Sequence, residues 1–450
     1  MGIKHIDKKS YPYLILRWFV IFWHNRVFYK RVVINNLEDI PKDAHLIFTG
    51  NHQNALMDAM VFLCGTKRPL VFMARSDIFN NRFIAALLYF FRMLPIFRIR
   101  DGFSALKKNN EIFSKTIDVI NNKIGLVIMV EGNHGAERRL RSLKKGFARI
   151  AFQTEEANNF DLDMQVVPVG IDYSNFDNFR TELLINFGKP IPFSEYYDAY
   201  RESPAIAINQ VKDRLVNHMK PIMVHIESEK YYELYDELRE IYKNEMAQKM
   251  GLPSTEQPHK LLADQELIKH LEQFEQGYPK KISAFQKLVI HYKDNITSNN
   301  LNYSVVRKKP DSFAKLIGES ILFILASPIF IVGWLLNYLP FGISIFIGKK
   351  MEDPQFKSSV KFAVSMLLWP LFYALQILLV WLLSDDWKVL LGFIIGMPIL
   401  GMLSRSYWVS LQLYLVAFRW ALIKKNKITL YRSIRSDLQE ILKTSSSIVS

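Results

Sequence analysis

The stretch AHLIFTGNHQNALMDA, Ala44 to Ala59, decides how this chain is read. Leu46-Ile47-Phe48 is a short apolar run of the kind that forms a buried strand. Gly50-Asn51 breaks it, and Ala55 to Leu63 has the pattern of a following helix. The break delivers His52 and, six residues on, Asp58. In α/β proteins reactive groups emerge at such strand-to-helix turns, because residues there escape core packing. An imidazole with a carboxylate in reach is the minimal general base: the carboxylate fixes the tautomer, and the free nitrogen takes a proton. Alone the pair carries little weight, since a His and an Asp six apart arise by chance in most chains of this length.

Composition narrows the setting. The chain has 450 residues, half of them hydrophobic, and a formal net charge of +15. Residues 1–100 hold 15 basic and 6 acidic side chains, and residues 301–450 hold 17 and 8, so each end carries +9 while the middle is near neutral. Both ends are also apolar and aromatic. That combination points to a membrane surface or an anionic phosphate substrate, and away from nucleic acid, for which no binding signature appears. No zinc-spaced Cys/His cluster occurs. The one cysteine, Cys64, lies on the apolar face of the helix after His52 and reads as a core thiol in a reducing compartment.

Tyr11 to Val27 is apolar, but Arg17, His24 and Arg26 interrupt it and no small-residue cleavage site follows. It is therefore read as an interfacial amphipathic helix, with its aromatics at the headgroup level, rather than a signal peptide. From Val32 to about Tyr200, short apolar runs (Leu46–Phe48, Leu70–Met73, Leu126–Val130, Val166–Val169, Leu183–Phe187) alternate with helical stretches (Ile78–Arg92, Ser104–Asn122, Leu143–Glu156). This predicts an α/β domain with a mixed sheet flanked by helices. Residues 203–312 turn charged and amphipathic, a helical connector with helices at Ile206–Leu215, Pro221–Met250 and Leu261–Asp294. Beyond Lys315 the segments 316–348, 362–383 and 389–423 are long and apolar, which predicts C-terminal transmembrane helices. Pro328 and Pro340 predict a break in the first, and lysines on both its flanks predict a hairpin or re-entrant piece. The same rule puts the α/β domain and the 426–450 tail on the cytoplasmic face.

Four clusters now line up in order: Asn51-His52 to Asp58; Leu94 through Phe97-Arg98-Ile99-Arg100 to Gly102; Ile128 through Glu131-Gly132-Asn133 to His134; and Val167-Pro168-Val169-Gly170. Together they resemble the phospholipid/glycerol acyltransferase superfamily, over roughly residues 30–200. The resemblance implies that residues 31–202 form an α/β acyltransferase domain, between the 1–30 helix and the 203–312 connector, with a transmembrane region at 313–425. It implies acyl transfer to a hydroxyl of glycerol-3-phosphate or its monoacyl ester, lysophosphatidic acid, from acyl-CoA or acyl carrier protein. His52 would be the general base and Asp58 its orienting partner. Arg98 would grip the acceptor phosphate, Glu131, Gly132 and Asn133 would help hold the acceptor, and Pro168 would line the site. A dianionic phosphate calls for a fixed cation, and arginine offers a planar fork of donors. Arg98 and Arg100 alternate along an extended stretch and face opposite ways, so Arg100 is a candidate for the same anion or for a lipid headgroup. His134 is read as at most a supporting residue, and the run Arg138 to Lys145 as a charged face open to coenzyme A, acyl carrier protein or anionic lipid.

Two departures from the family pattern bear on geometry. Five residues separate His52 from Asp58 where the family usually has four, which requires His52 to sit in the turn before the helix. Met129-Val130 precede Glu131 where Phe-Pro is usual. No cofactor is implied, since a thioester is already activated. Two other classes remain in view: a non-catalytic lipid-binding scaffold that keeps the fold, and a transporter, which needs ionisable groups deep in its spans.

Overall fold

A computed structural model describes residues 6–97 and 109–449, which fall into two compact units. The first comprises Met1–His225 together with Met351–Phe362, and the second comprises Ile226–Lys350 and Ala363–Ser450.

The first unit is built on an eight-stranded sheet. Its strands are β1 (Arg31–Asn35), β2 (Leu46–Gly50), β3 (Leu70–Arg75), β4 (Met93–Ile96), β5 (Gly125–Ile128), β6 (Gln165–Tyr173), β7 (Glu182–Phe187) and β8 (Ile191–Pro192). The order is β1-β7-β6-β2-β5-β3-β4, with β8 pairing β6. The block β6-β2-β5-β3-β4 is parallel throughout, while β7 and β8 run antiparallel to β6. Every residue of β2 and β5 is buried, as in a sheet covered on both faces.

Successive residues of β2 serve the two faces. Ile47 joins the core formed with α4 (Asn109–Asn121), α5 (Gly146–Ala157) and α7 (Pro204–Met219), through residues such as Val119, Phe147 and Leu215. Phe48 turns the other way, onto Phe62 of α2 (Leu56–Gly65) and Phe187 of β7. A Cβ on Gly50 would come within 2.9 Å of the Phe62 ring, so glycine lets α2 settle against the strand it follows. The unit also holds α1 (Tyr11–Phe22), α3 (Arg82–Phe90) and α6 (Tyr197–Glu202).

The mixed sheet and its flanking helices match the reading of the sequence, but β1, β4 and β8 are additional. They are two to five residues long, and β1 lies at the sheet edge with no fully buried residue, so neither length nor alternation marks them.

The second unit is helical: α8 (Tyr232–Lys249), α9 (Gln257–Gly277), α10 (Pro279–Ser298), α11 (Tyr303–Val306), α12 (Phe313–Lys349), α13 (Phe356–Leu383, its first two turns in the other unit), α14 (Trp387–Asn426) and α15 (Ile428–Ile448). The single helix expected over Leu261–Asp294 is two, parted at Tyr278, because Pro279 has no amide to continue α9 and instead starts α10. Among the described residues three helices, α12, α13 and α14, are long and apolar enough to cross a membrane.

Pro328 and Pro340 do not break α12, contrary to expectation, and a continuous 37-residue helix is no hairpin. Each proline frees the carbonyl four residues back, and each freed oxygen has another donor. Ser327 Oγ donates to Ile324 O at 2.7 Å, and Gln376 Nε2 of α13 donates to Leu336 O at 2.9 Å. Apolar helices tolerate proline on this condition.

Candidate active site

Because β6, β2 and β5 are adjacent and parallel, their C-terminal ends share one edge of the sheet. His52 follows β2 there, Glu131 follows β5, and Tyr173 ends β6.

His52 sits in the turn, before α2 begins at Leu56, as the five-residue spacing requires. Its Nδ1 lies 2.9 Å from Oδ2 of Asp58, in the first turn of α2. Asp58 is fully buried and its carboxylate takes two further donors: Asn54 N donates to Oδ2 at 2.7 Å and Tyr173 Oη to Oδ1 at 2.8 Å. A buried carboxylate facing Nδ1 fixes the proton on that nitrogen and leaves Nε2 as the basic lone pair. The His52 side chain is 15% exposed, and among the described residues nothing on the protein occupies Nε2. The turn is held from outside by Asn51, whose side chain brackets the Ile171 backbone in β6, accepting from its amide at 2.7 Å and donating to its carbonyl at 2.9 Å. Ala55, between His52 and Asp58, takes φ +43°, a conformation that costs on the order of 1–3 kcal/mol and persists only where its surroundings impose it.

Glu131 is brought to the dyad through the backbone: its Oε1 accepts from His52 N at 3.0 Å. Its Oε2 pairs with Arg141 Nε at 2.5 Å, and Arg141 also donates to the carbonyls of His52 and Asn133. Burial pushes the Glu131 carboxyl above its ordinary range, against the pull of Arg141 and the His52 amide. Gly132 turns at φ +76°, left-handed backbone that glycine adopts freely, with the Lys144 stem packed beside it. Gly132 and Asn133 are exposed at this edge. Pro168 is buried within β6 in register with Thr49, forming the strand wall beneath the turn. Arg98 and Arg100 lie outside the described residues.

Arg141 and Tyr173 were not singled out from the sequence. Arg141 belongs to the basic run that reads as a solvated face. That run is instead split by its contacts: Arg138 is buried against Asp172 at 2.5 Å, Arg141 holds Glu131, and Lys144 and Lys145 stay exposed. Nothing in the spacing of a basic run tells which members turn inward. Tyr173 sits 115 residues from Asp58, and only the parallel pairing of β6 with β2 brings them together.

Residues 31–172 match the family model described as Acyltransferase. Among curated proteins the chain is similar to glycerol-3-phosphate O-acyltransferase 1 of Saccharomyces cerevisiae, 26% identical over 219 residues, 46% of this chain and 28% of that protein. It is also similar to the 1-acyl-sn-glycerol-3-phosphate acyltransferase of Borreliella burgdorferi, 25% identical over 160 residues, 35% of this chain and 57% of that protein. The chain thus spans between about a quarter and little over half the length of these relatives. Among solved structures, the 1-acyl-sn-glycerophosphate acyltransferase PlsC of Thermotoga maritima is 18% identical, with a TM-score of 0.33 over 46% of this chain and 79% of that one. Residues 31–172, which hold His52, Asp58, Glu131 and Pro168, are the part of the chain that matches the acyltransferase family model.

Proposed function

We propose that this chain is a membrane-bound O-acyltransferase that moves a fatty acyl group from a thioester, acyl-CoA or acyl carrier protein, to a hydroxyl of glycerol-3-phosphate or 1-acyl-glycerol-3-phosphate in phospholipid synthesis. The observation that carries it is the His52–Asp58 pair, with Nδ1 locked on a buried carboxylate and Nε2 open at the sheet edge, inside the family-matched segment. Nε2 takes the proton of the acceptor hydroxyl as its oxygen attacks the thioester carbonyl. The new C–O bond forms, the C–S bond breaks, and the proton passes from His52 to the departing thiolate. The imidazolium formed meanwhile faces the Asp58 charge. No cofactor enters, because the thioester supplies the activation.

In this reading Arg98 binds the acceptor phosphate, with Arg100 beside it as a second cation. Glu131, Gly132 and Asn133 shape the acceptor side, Glu131 through its hold on His52 N and Arg141, and Pro168 lies in the wall below. The bilayer is a partner through the three long apolar helices, and the domain is read on the cytoplasmic face.

The test offers purified full-length protein each acceptor separately, with acyl-CoA and with acyl carrier protein. One acceptor is expected to turn over, and His52→Ala to lose activity by about 10²–10⁴-fold while remaining folded. Turnover undiminished in that variant would remove the mechanism. No turnover with either acceptor would leave a lipid-binding scaffold.

A further inference from the structure

A twelve-residue segment, Met351–Phe362, lies between the long apolar helix α12 and the body of α13, yet belongs to the unit that holds the dyad. It reaches both halves of that dyad. On the His52 side, Asp353 Oδ2 pairs with His134 Nε2 at 2.9 Å. The His134 ring meets the His52 ring edge to face, with centroids 5.6 Å apart and planes at 83°. The His134 ring also meets Phe356 edge to face, with centroids 4.9 Å apart. On the Asp58 side, Leu56 is the first residue of α2, and its amide is one of the donors that a helix start leaves unpaired. The preceding residue, Ala55, has no side chain to cap it. Ser359 Oγ, 303 residues along the chain, accepts from that amide at 3.2 Å. Lys361 Nζ then donates to Asp177 O at 2.8 Å, and Phe362 is buried against Phe28 and His24.

We propose that His134 and Asp353 are a second imidazole–carboxylate pair that positions His52, and that segment 351–362 is therefore a part of the active site supplied from between two membrane helices. The proposal rests on the acyl-transfer reading for its rate, and on geometry alone for its contacts. Asp58 fixes His52 at Nδ1 but leaves the ring free to swing about that hydrogen bond. An edge-to-face neighbour that is itself held by Asp353 at Nε2 and packed against Phe356 restricts this freedom. The Asp353 carboxyl is held below the usual carboxylate range by the hydrogen bond to His134, so the pin is charged at neutral pH. His134 is a positioning residue here, not an acid or base. Misplacing a reacting group by an ångström costs as much as 10²-fold in rate.

The experiment uses the full chain in dodecylmaltoside micelles and compares wild type with Asp353→Asn, Asp353→Glu and His134→Ala. Two readouts are taken: kcat and KM for each acceptor with palmitoyl-CoA, and the rate at which diethyl pyrocarbonate modifies His52. The second is followed by tandem mass spectrometry, whose fragment ions separate His52 from His45 on the tryptic peptide 43–67, while His134 falls on a different peptide, between Lys123 and Arg138.

Asp353→Asn is expected to lower kcat about tenfold with KM unchanged, and to speed His52 modification severalfold. Asp353→Glu should restore most of both. His134→Ala should reproduce the loss, so the claim survives if one variant fails to fold. Unchanged kcat and unchanged His52 reactivity in both Asp353→Asn and His134→Ala would overturn the proposal. If the wild type turns over neither acceptor, the acyl-transfer reading falls, and His52 reactivity still decides the positioning.

Discussion

At the residue scale the site depends on one buried carboxylate with a donor on each of its oxygens. Asp58 accepts from His52, from Asn54 N and from Tyr173 Oη. Asp58→Asn keeps the shape but puts an amide where Nδ1–H needs an acceptor, so kcat is expected to fall about 10²–10⁴-fold with KM little changed, read by steady-state kinetics. Tyr173→Phe leaves Oδ1 buried without a donor, which costs about 1–3 kcal/mol. That loss should appear as a lower unfolding temperature as well as a slower rate.

A different titration governs acid stability. His24 is fully buried against Tyr29 and Phe362, and burial lowers its pKa to about 4. The unfolded chain protonates this imidazole near 6.5 while the folded one does not, so stability is full above that value, falls as pH drops toward about 4, and then levels off. The loss is on the order of 3 kcal/mol. His24→Phe removes it, so calorimetry at about pH 7 and about pH 4.5 should show a smaller drop in transition temperature for the variant than for wild type.

His52 and Glu131 were legible in the sequence because each follows a short buried strand, and strand ends in parallel sheets converge; Asp58 was legible as a carboxylate at the start of the helix that follows His52. Tyr173, Arg141 and Asp353 were not, since their roles come from pairings across 115, 10 and 219 residues that no local pattern encodes.

At the scale of elements, periodicity revealed what is long and buried and missed what is short or exposed. It gave β2, β5, β6 and β7 through their unbroken apolar runs, and the apolar helices through sheer length. It failed where local chemistry was compensated at a distance. Proline at 340 reads as a helix break, but the Leu336 carbonyl it frees is taken by Gln376 of the neighbouring helix. The same layer is closely packed: Asn337 Nδ2 donates to Gly333 O and Met397 O, Tyr373 Oη donates to Asn337 Oδ1, and a Cβ on Gly333 would strike Leu400 O at 2.3 Å. Small residues and polar bridges of this kind are how apolar helices associate when lipid offers no hydrophobic gain.

The compensation has a testable coupling. Gln376→Leu alone should destabilise the unit by about 1 kcal/mol, since it strands a carbonyl in an apolar layer. In a Pro340→Ala background residue 340 regains its amide and answers Leu336 itself, so the same substitution should then cost far less. Thermal unfolding of the four proteins measures the difference, and an equal cost in both backgrounds would mean that Gln376 does not replace the missing amide.

At the scale of the molecule, the apolar surface of the first unit is arranged rather than scattered. Along α1, Tyr11, Ile15, Trp18 and Phe22 recur at helical spacing and are all exposed, Trp18 at 68%. On α3, Phe83 is 88% exposed, with Ile84 and Leu87 beside it. The two helices touch through Tyr13 and Phe90, ring centroids 6.3 Å apart, and the Arg92 guanidinium lies over Tyr13. Two exposed apolar rows on adjoining helices, in a 100-residue segment carrying +9, fit a surface seated among anionic headgroups better than one facing water.

The full chain in nanodiscs containing brominated phosphatidylglycerol tests this directly, because bromine quenches only indoles that touch the acyl region. The emission assigned to Trp18, taken as the difference between wild type and Trp18→Phe, should be strongly quenched. Phe83→Glu with Leu87→Glu should weaken that quenching by lifting the adjoining row from the bilayer. An unquenched Trp18 would place α1 in water and leave the long apolar helices as the chain's hold on the membrane.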